Sequence, residues 1–185
     1  MNRLFLLASL IFLFSCQETT NKYGISSNEN PFFQEWNTPF EVPPFNYIKD
    51  DHYMPAFIKG MDENIKEIDA IINNPEEPTF SNTIEELERT GKLLSKVQRT
   101  FSNLASSNTN TKLQELQREL SPLLSAHYDK IALNENLFKR VEAVWENRAK
   151  EQLTKEQKKL LEDTRKQFVR SGALLSKEEK LKITE

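Results

Sequence analysis

The sequence has 185 residues, of which 37% are hydrophobic and 29% charged, with 4 glycines and a mean hydropathy of -0.64. So few glycines disfavour a β-rich fold of many tight turns, and the abundance of Leu, Glu, Lys, Gln and Arg points to an all-α chain with much solvated helix surface. A net charge of -3 supplies no field to gather nucleic acid, and a lone cysteine excludes an internal disulfide and any zinc site of paired thiolates.

The chain begins with Met1-Asn2-Arg3 and an apolar run from Leu4 to Phe14, too short for the roughly 20 residues of a bilayer span and suited to a signal-peptide core. The run ends in Leu13-Phe14-Ser15-Cys16, which resembles a bacterial lipobox. The expectation is a signal peptide over 1–15, then a lipidated Cys16 opening a flexible tether over 16–30, then a helical region over 31–185. Several lipid chains on Cys16 would make a stable anchor where one alone would not. This places the mature protein in the cell envelope, anchored to a membrane. Gln17 after the cysteine favours outer-membrane sorting by analogy.

Residues from Pro31 to Tyr47 are rich in proline and aromatics: Phe32, Phe33, Trp36, Phe40, Phe45 and Tyr47. Prolines push the residues before them into extended backbone, so an irregular arm lying along a packed surface is expected. A first helix starts near Asp50 or Asp51 and carries Tyr53, Phe57, Met61, Ile65, Ile68 and Ile72 on one face, stopping at Asn73-Asn74-Pro75. A second begins around Ser81 or Asn82 and runs about seven turns to a break at Asn108-Thr109-Asn110, with Ile84, Leu87, Gly91, Leu94, Phe101 and Leu104 on its stripe.

The third helix points Leu113, Leu116, Leu120, Leu123, Leu124, His127 and Ile131 inward, with a kink expected at Pro122. A fourth spans 135–150 through Leu137, Val141, Val144 and Trp145. Thr154-Lys155-Glu156-Gln157 is a capping box opening a fifth, which stops at Gly172. A second box, Ser176-Lys177-Glu178-Glu179, opens a sixth barely two turns before Glu185, so the sequence is expected to stop inside an element.

Chemistry is sparse. The histidines, His52 and His127, stand far apart in sequence and form no His-Glu-x-x-His pair, which on a helix would set two ligands on one face. His127 on its apolar stripe reads as a hydrogen-bonded core residue. No Gly-x-Ser-x-Gly elbow or phosphate-cradling loop is present, and adjacent carboxylates such as Glu85-Glu86 suit helix starts. No catalytic, cofactor-binding or metal-binding residue is assigned to this chain; Cys16 is its one modification site.

Several segments together are similar to the opening region of bacterial peptidyl-dipeptidases and oligopeptidase A, of the thimet oligopeptidase family. They are Asn30-Pro31-Phe32, Trp36-Asn37-Thr38-Pro39-Phe40, Pro43-Pro44-Phe45, His52-Tyr53-Met54-Pro55-Ala56-Phe57, Gly60-Met61, Pro78-Thr79-Phe80, Asn82-Thr83-Ile84, Ser107-Asn108-Thr109-Asn110 and Phe168-Val169-Arg170-Ser171-Gly172. The resemblance implies an all-helical, two-lobed zinc peptidase acting on short peptides in a channel between its lobes. It implies that these residues form part of the lobe covering the channel, and that the zinc ligands lie on a C-terminal catalytic lobe beyond Glu185. The competing expectation is a complete, non-enzymatic helical envelope lipoprotein that binds a peptide or protein partner.

Overall fold

A computed structural model of the chain describes residues 29–175 and 179. Cys16, the leader and the Ser176 capping box lie outside the described residues. The fold is all-α: α1 Tyr53–Ile72, α2 Glu86–Arg89, α3 Lys92–Ser107, α4 Thr111–Ala132, α5 Glu135–Asn147 and α6 Lys155–Arg170. The arm carries short 3-10 turns at Pro31–Phe33 and Pro39–Glu41, and another at Asp50–His52 leads into α1.

Helix α1 is the spine, because its apolar face serves two cores in succession. Tyr53, Ala56 and Phe57 pack with Phe32 of the arm, Leu94, Val97 and Phe101 of α3, and Leu113, Leu116 and Leu120 of α4. One end of this core is aromatic, with Tyr53 against Phe32 at 5.2 Å and edge-on to Phe101 at 5.1 Å between ring centroids. Farther along, Ile68 and Ile71 meet Phe80 and Ile84, then Leu137, Val141 and Val144 of α5 and Leu161 and Phe168 of α6. Burying each such side chain contributes about 1.5–3 kcal/mol, so the two clusters account for why a lean composition still folds.

The predicted second helix is not continuous. Thr79 caps a π-helical segment at Phe80–Glu85: the Asn82 N–H donates to Thr79 Oγ1 at 3.2 Å and the Thr79 N–H to Asn82 Oδ1 at 2.9 Å. The first helical residue is Phe80, beside the expected start around Ser81 or Asn82. Both carboxylate oxygens of Glu151, 71 positions away, accept from the Phe80 N–H at 3.2 and 3.1 Å, placing negative charge at a helix start. The helix then breaks at Thr90-Gly91, where Gly91 has φ +69° and its N–H donates to Glu67 Oε2 at 2.6 Å. A side chain there would cost about 1–2 kcal/mol in left-handed backbone and would crowd Asn64.

Other helix starts follow the sequence, while α5 stops at Asn147, short of the expected Lys150. The Leu113 N–H donates to Asn110 Oδ1, the Leu137 N–H to Asn134 Oδ1 and the Gln157 N–H to Thr154 Oγ1, each satisfying a helix-start donor. Helix α4 runs on through Pro122 to Ala132. Leu123, expected to face inward, is exposed, whereas its neighbour Leu124 packs half-buried against the core. The arm only partly follows expectation: Phe32 is 1% exposed, but Phe40 is 98% exposed. Among the described residues no helix is long and apolar enough to cross a membrane.

Candidate functional site

A groove of about 910 Å³ lies between the arm and the polar face of α3, lined by Glu35, Trp36, Glu88, Lys92, Arg99 and Asn103 among others. Lys96 builds one wall. Its ammonium donates to the carbonyls of Phe32 at 3.2 Å and Gln34 at 2.7 Å, and lies 4.0 Å from the centroid of the Trp36 ring. The Trp36 indole N–H donates to the Pro31 carbonyl at 2.8 Å, completing the clamp. Burial holds the Lys96 pKa below the usual lysine value, an effect that the Glu35 carboxylate opposes. A charge held by two carbonyls and a π face fixes the arm's course over α3.

The groove is polar and carries both signs of charge, Glu35 and Glu88 against Lys92 and Arg99. Such a surface can hold an extended polar chain through hydrogen bonds and ion pairs. Two of its hydroxyls are tied to backbone: Thr100 donates to the Lys96 carbonyl at 2.8 Å and Thr90 to the Leu87 carbonyl at 2.9 Å.

The two histidines are engaged separately. His52 Nδ1 accepts from the Lys49 N–H at 3.1 Å at the entry to α1. His127 Nε2 lies 2.9 Å from Asn64 Oδ1 in a buried α1–α4 contact; an amide oxygen can only accept, so this nitrogen carries the proton. The reading of His127 as a hydrogen-bonded core residue therefore holds. Among the described residues no cluster of three or more His, Cys, Asp or Glu could hold a metal ion, and these residues do not fit the zinc implied by the resemblance. Cys16 lies outside the described residues.

Lys96 was invisible to sequence reasoning, since a lysine beside an apolar stripe reads as solvated. The same is true of Arg140, which is 8% exposed on α5. Its guanidinium donates to the Asn74 carbonyl at 2.9 Å and to Asn82 Oδ1 at 3.2 Å, tying the α1 exit to the π-helical segment.

An all-α arrangement with this order of helices and caps accompanies clear sequence similarity: the chain is homologous to bacterial peptidases. Over 154 residues it is 40% identical to the dipeptidyl carboxypeptidases of Salmonella typhimurium and Escherichia coli, a match covering 83% of this chain and 23% of each relative. It is also 26% identical over 148 residues to oligopeptidase A of Escherichia coli, covering 80% of this chain and 22% of the relative. The chain thus spans less than a quarter of the length of the curated relatives it matches. No protein-family model matches it.

Proposed function

We propose that the chain is the non-catalytic front part of a zinc-dependent peptidase that hydrolyses short peptides, and that the complete protein removes dipeptides from peptide C-termini. The observation that carries this reading is the 40% identity to dipeptidyl carboxypeptidases over 154 residues, against 26% to oligopeptidase A over a similar span. The relatives' greater length leaves room for a catalytic lobe carrying the His-Glu-x-x-His zinc site, which the described residues do not supply. In this reading the groove between the arm and α3 forms part of the wall enclosing the substrate channel, its mixed charge suiting short peptides with an ammonium at one end and a carboxylate at the other.

The run to Phe14 and the Leu13-Phe14-Ser15-Cys16 sequence support lipidation at Cys16 and an anchored position in the cell envelope. Membrane fractionation of Cys16→Ser tests the anchor: loss from the membrane or failure of processing is expected, and unchanged fractionation and processing would overturn it. The peptidase reading is tested by following the reading frame past Glu185. A His-Glu-x-x-His motif within the next several hundred codons supports it; a frame without that motif defeats it.

A further inference from the structure

We infer that the loop Thr38–Val42 is a docking knob, with Phe40 as its anchor, for polypeptide lying beyond Glu185 in the complete protein. The inference rests on the proposed reading, and it starts from the backbone. Phe40 and Glu41 are the two described non-glycine residues with positive φ, at 57° and 55°. Left-handed backbone crowds a β-carbon, so two such residues in succession require a surrounding structure that holds them.

That structure is local. The Glu41 N–H donates to the Thr38 carbonyl at 3.0 Å, the Val42 N–H to the Pro39 carbonyl at 3.3 Å and the Thr38 hydroxyl to the Val42 carbonyl at 2.6 Å. Pro39 and Pro43 fix φ within and just after the closed loop. Its product is an aromatic ring 98% exposed to solvent, followed by Val42 at 50% and Phe45 at 43%. A pre-organised aromatic flanked by apolar neighbours matches the anchors that dominate protein interfaces, since little conformational freedom remains to be lost on docking.

The occupant follows from charge and length. The loop Thr38–Val42 itself contains Glu41 and no lysine or arginine, so it brings no positive charge of its own to an anionic membrane surface. The relatives hold more than three quarters of their length outside the matched segment, and that polypeptide is the covering surface the complete protein has at hand.

The test replaces Phe40 with a benzophenone-bearing analogue in the complete protein and maps the photo-crosslinks. The expected product is an intramolecular crosslink to a peptide beyond residue 185. Crosslinks confined to residues 1–185, crosslinked dimers, lipid adducts or no crosslink at all would each overturn the inference. A peptidase assay on the same preparation keeps the two readings apart: activity without the expected crosslink defeats the docking knob alone, and the crosslink without activity defeats the peptidase reading alone. A frame that ends at Glu185 defeats both. Phe40→Ser, which disturbs no buried contact, is expected to speed proteolytic cleavage within residues 38–47 of the complete protein about tenfold by releasing the loop. An unchanged cleavage rate would count against docking.

Discussion

Gly60 of α1 faces the backbone of Leu94 in α3 so closely that a β-carbon on the glycine would stand 2.9 Å from the Leu94 Cα. Helices can cross this tightly only where one contributes no side chain, and the contact lies beside the core formed by Tyr53, Phe57, Val97 and Phe101. Gly60→Ala is therefore expected to force α1 and α3 apart and to cost about 1–3 kcal/mol. Thermal unfolding followed by circular dichroism should show a Tm lower by several degrees; an unchanged Tm would mean that the crossing is looser than described.

Arg140 gives a second expectation. Its Nη1 and Nη2 donate to the Asn74 carbonyl and Asn82 Oδ1, while no group among the described residues accepts from its buried Nε. Arg140→Met keeps most of the apolar stem but leaves the Asn74 carbonyl without this charged donor. The loss should be about 2–3 kcal/mol by the cost of removing hydrogen bonds from a charged donor, measured by urea denaturation. A loss under about 0.5 kcal/mol would show that solvent substitutes freely for the guanidinium.

Both histidines titrate below the ordinary value of 6.5: His127 through burial and then the nearby Lys130, His52 through burial and then Lys49, with Asp51 opposing. The unfolded chain therefore takes up protons before the folded one does as the pH falls. Their contribution to stability is fully present above a pH of about 6.5 and is lost as pH drops through the folded-state values. The urea midpoint should fall between pH of about 7.5 and about 5.5. His127→Gln should shrink that fall, and adding His52→Gln should shrink it further. A fall of the same size in the double variant would place the titrating groups elsewhere.

The helices were legible because their signals are local. Stripes such as Leu113, Leu116 and Leu120, and caps such as Asn110, Asn134 and Thr154, need only a few neighbouring residues to be read. The break at Gly91 was not legible: a glycine on a helical stripe is tolerated, and what fixes its left-handed turn is Glu67 on another helix. The groove was hidden for the same reason. Its wall depends on Lys96 reaching carbonyls more than 60 positions away, and no short-range pattern marks a lysine for that role. In the arm Phe32 is buried and Phe40 exposed, since composition shows that aromatics need cover without showing which of them find it within the described residues.

The central claim is that these helices belong to a peptidase that takes dipeptides from C-termini. Its most direct test is to express the complete reading frame and follow an N-blocked short peptide by mass spectrometry, with and without chelator. The account predicts stepwise loss of C-terminal dipeptides that chelation abolishes and zinc restores. Intact peptide, or cleavage indifferent to chelation, would contradict it.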